Sequence, residues 1–304
     1  MRTLRLSFRI AIAAFRDFLA DDGWAIASHI ALSTLMAMFP FLIVVTALAG
    51  SLFGSKELAD EAARILLEAW PQEVAGPLAL DIHGVLTSAH GGGILTFGLA
   101  FALYFASSGV ESLRIGLNRA YGVTERRSDW LMRLESIGYV LVGAAALLAF
   151  AFLVVLAPLI WAKLLKYAPA IEPFRELITF ARFSVAAFVL VIALLILHLW
   201  LPAGRRTFKD IAPGIIATLL LWLVGGTLFG RYLAEFAFAY SIMYAGLASA
   251  MISLVFLYVC ASIFIYGGEL NAAIVKARKK RDERANRRRF RSRRRSSAGR
   301  SPAH

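Results

Sequence analysis

Six apolar runs, each long enough to cross a bilayer as a helix, constrain this 304-residue chain more than any other feature. They are Trp24–Phe53, Gly91–Val110, Ile137–Ile160, Ile178–Trp200, Ile211–Phe229 and Gly246–Tyr266. About 20 apolar residues in a helix traverse about 30 Å of hydrocarbon. Lipid supplies no hydrogen-bond partners, so each span must satisfy its own backbone. No strand-like alternation is long enough for a barrel. The expected fold is therefore all-α: a polytopic membrane helical bundle with six transmembrane helices. Hydrophobic residues make up 59 % of the chain and charged residues 17 %, where soluble domains run near about half and about a quarter. That excludes a disordered chain, a disulfide scaffold and an ordinary soluble enzyme. Cys260 is the single cysteine and cannot form an internal disulfide. Pro40, near the middle of the first run, predicts a kink or tilt. That run is about twice the length of a signal-peptide core, so cleavage after Ala49 is not expected.

The net charge of +13 belongs to one end of the chain. Between Lys276 and His304 there are 14 Lys/Arg against Asp282 and Glu283, and the rest of the chain is close to neutral. The other basic residues also segregate. Arg2, Arg5, Arg9 and Arg16 precede the first span. Arg114, Arg119, Arg126, Arg127 and Arg133 lie around the second loop, and Arg205, Arg206 and Lys209 in the fourth. The opposite side holds Lys56, Arg64, Lys163, Lys166 and Arg175. The positive-inside rule then places both termini in the cytoplasm. Residues 1–23 read as an amphipathic interfacial helix, with Leu4, Phe8, Ile12, Phe15 and Leu19 on one stripe and arginines beside it. The other reading is a short cytoplasmic helix packed on protein. Residues 24–275 form the six-span domain. Its first outer loop, about 54–90, has helical periodicity over Leu58–Ala69 and again over Val74–Val85. Residues 276–304 read as a disordered basic tail. Anionic lipid is the expected partner of the tail and of the first helix. The tail's charge also suits non-specific RNA binding, but no specific nucleic acid is expected.

Polar residues enter the spans mainly from the basic side. Ser107, Glu111, Arg114 and Asn118 fall on one helical stripe at the inner end of the second span. His29, His198, Glu269 and Asn271 enter at similar depth from three other spans. Intramembrane ionisable groups usually face the bundle interior. The eight residues read equally as a pocket for a headgroup, solute or proton, or as a clasp that includes a Glu111–Arg114 ion pair. On the outer side, Arg231 and Glu235 have the spacing of an ion pair. Gly226 and Gly230 form a weak GxxxG pattern, and Gly267-Gly268 permits close packing beside Glu269. There is no GxSxG, Walker, HExxH or CxxC sequence. No catalytic residue, cofactor site or metal site is therefore expected.

Three blocks resemble the YihY/BrkB-like family of bacterial inner-membrane proteins. The first is Ala27–Pro40, ASHIALSTLMAMFP. The second, Ser107–Arg127, carries Gly109-Val110, Asn118, Tyr121-Gly122, Glu125 and Arg127. The third, Phe208–Asn271, carries Pro213-Gly214, Trp222, Phe229, Tyr232, Tyr244-Ala245-Gly246-Leu247 and Gly268-Glu269-Leu270. Two departures are Ala245, where a glycine often follows the tyrosine, and the long basic tail. The resemblance implies a six-span inner-membrane protein. It also brings an old ribonuclease BN label and, for some members, a virulence or serum-resistance label. Nothing in this chain supplies the paired acidic or His-rich metal site that RNA hydrolysis would use. The resemblance and the inner polar cluster together suggest an envelope role in moving lipid or a lipid-linked precursor. The alternative is a non-transporting scaffold or assembly factor, and a ribonuclease is a distant third.

Overall fold

The computed structural model of the chain describes residues 2–53, 92–167, 175–244 and 247–298. The helical outer cap expected within 54–90 lies outside the described residues. Seven long helices account for most of what is described: α1 (Arg2–Ala20), α2 (Gly23–Phe53), α3 (Gly92–Ala120), α4 (Asp129–Tyr167), α5 (Arg175–Leu199), α6 (Phe208–Tyr244) and α7 (Ala248–Ala298). No strand occurs among the described residues. The six apolar runs fall on α2 to α7, one each. Stretches within α4, α6 and α7 are long and apolar enough to cross a membrane, and α2 and α5 contain shorter apolar helical stretches. Side chains such as Leu220, Leu223, Val224 and Leu228 on α6, and Phe180 and Phe188 on α5, are exposed. Apolar surface of this extent is what lipid, not water, solvates. The fold is an all-helical membrane bundle.

Two apolar cores hold the helices together. One joins α2, α3 and α4 through Val44, Val45, Ala102, Ala106, Val140 and Ala144. The other sits toward the basic end, where Phe18, Ile30, Leu117, Leu194, Ile211 and Ile265 bring together α1, α2, α3, α5, α6 and α7. Pro40 lies inside α2 without ending it. At Gly214 the backbones of α6 and α7 meet: a Cβ there would overlap the Gly267 carbonyl and crowd the Asn271 amide. Only glycine permits that approach. Around Gly226 and Gly230 there is open space among the described residues, so no described helix packs on the GxxxG face.

One expectation changes. The tail continues α7 as helix through Ala298 instead of being disordered. Arg, Lys, Glu and Ala are strong helix formers, and α7 supplies the costly nucleus for them. The first helix is both packed and apolar on its surface. Ala14 and Phe18 are buried, and the Tyr266 hydroxyl donates to the Ala11 carbonyl at 3.3 Å, which ties α1 to α7. Phe8, Ile12, Phe15 and Leu19 remain exposed, with Phe8 at 68 %. The helix thus has one side packed on protein and an apolar stripe left open on another.

Candidate polar site at the basic end

The α3–α4 turn, the α5–α6 turn, the end of α1 and the stretch of α7 around Asn271 to Lys279 converge at one end of the bundle. Gly122 ends α3 in the left-handed conformation, with φ of 61°. The Val123 amide donates to the Asn118 carbonyl and the Gly122 amide to the Arg119 carbonyl, both at 2.9 Å. That pattern is a Schellman cap. Thr207 caps α6: its hydroxyl donates to Asp210 Oδ2 at 2.6 Å, and the same oxygen accepts the Thr207 amide at 3.3 Å. These stops fix the turns that carry the charges.

Glu125 is the hub of the α3–α4 turn. Its carboxylate accepts from Arg127 Nε at 2.9 Å and Nη2 at 2.7 Å, and from the amides of Arg126 and Arg127 at 3.0 and 3.2 Å. Asn118 Nδ2 adds a fifth bond at 3.1 Å. The Arg127 fork, with smaller help from Asn118, outweighs burial and holds the Glu125 carboxyl down at about 2. The same pairing raises Arg127. Arg127 also reaches Glu135 at 2.7 Å and the Leu201 carbonyl at 2.9 Å, while Asn118 Oδ1 accepts the Ala203 amide at 2.7 Å. The α3–α4 and α5–α6 turns are thereby sewn together.

A second network runs through four helices. The Gly214 amide of α6 donates to Asn271 Oδ1 of α7 at 2.7 Å, and Asn271 Nδ2 donates to the Tyr121 hydroxyl at 3.2 Å. Tyr121 therefore gives its own proton to His198 Nδ1, at 2.7 Å. This order assigns neutral His198 its proton on Nε2. The Arg206 guanidinium covers the Tyr121 ring at 3.9 Å. Burial pushes the Tyr121 hydroxyl up to about 12.

The eight sequence candidates do not share one chamber. Arg114, Asn118, Asn271 and His198 belong to the two networks above, and Arg114, 3 % exposed, donates to the Met132 carbonyl at 3.0 Å. The expected Glu111–Arg114 pair does not form. Glu111 pairs with Arg133 at 3.1 Å and Arg114 with Glu135 at 3.4 Å, because α4 lies along α3 and offers both partners two residues apart. Ser107 accepts from Arg133 at 2.8 Å. His29 is exposed on α2, with Ser112 at 3.4 Å. Glu269 is buried where α1 docks and makes no hydrogen bond to either network. Arg231 and Glu235 are both exposed and make no ion pair with each other, as expected where solvation and side-chain entropy offset a weak contact.

The open space lies elsewhere. A groove of about 960 Å³ runs between the two turns, lined by Thr124, Arg126, Arg127, Trp200, Arg205 and Arg206 among others. A smaller cavity of about 280 Å³ continues past Arg206 to Lys276 and Lys279. None of the eight candidates lines either space. In the sequence, Arg126, Arg205 and Arg206 stand out only as topology signals, and Arg127 also within the second resembling block. Glu135, the shared acceptor of Arg114 and Arg127, carried no signal at all. The groove can bind an anion: Arg126 and Arg205 are exposed, and Arg206 stands at the junction of both spaces. Trp200, Trp130 and Phe208 are exposed at the same end, the residue types that settle at headgroup depth. Among the described residues, no three His, Cys, Asp or Glu gather to hold a metal ion.

Fold and site together define a polytopic helical membrane protein with a cationic groove at one end. The chain belongs to the virulence factor BrkB family, whose model matches residues 14–292. It is similar to the putative ribonuclease-like protein YfkH of Bacillus subtilis (strain 168), 28 % identical over 269 residues, covering 88 % of this chain and 96 % of that one. It is also similar to the UPF0761 membrane protein RC1_0578 of Rhodospirillum centenum (strain ATCC 51521 / SW), 26 % identical over 264 residues. That match covers 84 % of this chain but 55 % of the relative, so the chain spans about half the length of that protein. No solved structure matches the chain.

Proposed function

We propose that this protein handles lipid, or a lipid-linked precursor, with an anionic headgroup, and that it binds the headgroup in the groove between the α3–α4 and α5–α6 turns. In this reading it sits in the bacterial inner membrane with both termini in the cytoplasm. The single observation that carries the reading is the groove itself: exposed guanidiniums of Arg126 and Arg205, Arg206 beside them, and Trp200 on the wall. Phosphate matches guanidinium geometry, and an aromatic rim suits a ligand that is half in lipid. The exposed stripe of α1 and the basic end of α7 add attraction to an anionic leaflet.

The test is lipid retention. The protein is purified from nanodiscs of mixed phosphatidylglycerol and phosphatidylcholine, and bound lipid is counted by native mass spectrometry. Phosphatidylglycerol should be enriched, and Arg126→Gln with Arg205→Gln should cut the enrichment by about fivefold per charge. Equal retention of both lipids, or no effect of the double change, overturns the reading. A scaffold role has one observation in its favour: the Glu125 and Tyr121 networks tie helices and turns together by direct hydrogen bonds. Wild-type function in the Arg126→Gln, Arg205→Gln protein would favour it.

A further inference from the structure

Glu269 lies on α7 where α1 docks, and only 1 % of it is exposed. Neither of its carboxylate oxygens meets a hydrogen-bond donor among the described residues. The charges that act on it are Asp17 and Asp21 from the end of α1 and Lys276 from its own helix, seven residues on. The end of α3 adds Tyr121. Lys276 is already engaged, with its Nζ 2.9 Å from Asp17. Glu269 thus faces Asp21 with no donor and no cation of its own. An ionised carboxylate is costly in such a place. A protonated carboxyl removes the charge and gains an O–H that can donate to Asp21, as carboxyl pairs do.

We propose that Glu269 binds a proton when α1 docks on α7, so that the α1–α7 junction is a proton-dependent latch on the interfacial helix. The proposal stands apart from the lipid reading and uses none of the groove residues. The sign follows from linkage. The docked state holds one more proton than the undocked state, so docking weakens as pH rises.

The experiment is infrared spectroscopy and hydrogen exchange on the full chain in nanodiscs. The wild type should show the C=O stretch of a protonated carboxylic acid at about pH 6 and lose it by about pH 9, and Glu269→Gln should lack it throughout. Over the same interval, exchange protection of the α1 amides, corrected for intrinsic rate, should fall about tenfold in the wild type and stay level in Glu269→Gln. Asp21→Asn removes the facing charge and should move loss of the band to lower pH by about one unit, which keeps the test open should Glu269→Gln fail to fold. The proposal is overturned by a wild type without the band, by a band that persists in Glu269→Gln, or by an unmoved midpoint in Asp21→Asn. Loss of the band on adding sodium or magnesium at fixed pH would assign the site to a cation and overturn it as well.

Discussion

Glu125 shows how one side chain organises the basic end. It receives five hydrogen bonds, so Glu125→Gln should lower stability by about 1–3 kcal/mol, as loss of charge-assisted bonds does. Adding Arg127→Gln should return part of that, because the stranded guanidinium is then gone. The acid behaviour follows from the lowered carboxyl. Its folded value is about 2 against an ordinary 4.5, so its stabilisation is complete above about 4.5 and fades as pH falls toward about 2. Thermal unfolding in detergent should therefore show a steeper acid loss in the wild type than in Glu125→Gln. Equal slopes would mean that the pair contributes nothing to the fold. The residue scale was the least legible from sequence. Arg114 and Glu111 sit three apart and read as partners, but which charge each finds depends on the register of α4 against α3. Nothing in the spacing of Glu135 marked it as the acceptor for two arginines.

At the scale of elements, Gly214 and Gly230 make opposite predictions from the same residue type. Gly214→Ala forces a methyl into the Gly267 carbonyl and should cost about 3 kcal/mol or more, the range of severe overpacking. Gly230→Ala meets open space and should change stability by about 0.5 kcal/mol or less. Chemical denaturation of the two variants side by side checks both, and comparable losses would contradict the helix crossing described here. Elements were legible to the extent that apolar length decides them, so six runs became six helices. The polar stripe read at helical spacing past Val110 is helix to Ala120, packed on α4 and α7. Composition misjudged one boundary. The tail lacks apolar residues, which argued for disorder, yet its Arg and Ala content extends a helix that has already begun.

On the scale of the whole molecule, the basic segments that the sequence assigned to one side do gather at one end: Asn118 bonds Ala203, Asn271 bonds Tyr121, and Lys276 pairs with Asp17. Reporter fusions after Arg127 and after Lys276 should both report the cytoplasm, and a fusion after Ala69 the periplasm. A periplasmic signal after Lys276 would invert the bundle and remove the groove from the inner leaflet. Where the open space lies could not be read from the spans, because it is made by two turns distant in sequence. The central claim is that this space receives an anionic headgroup. The most direct measurement is a cryo-electron-microscopy map of the protein in phosphatidylglycerol nanodiscs. Density for a phosphate is expected between Arg126, Arg205 and Arg206, with the acyl chains passing Trp200. An empty groove beside well-ordered lipid elsewhere on the bundle would contradict it.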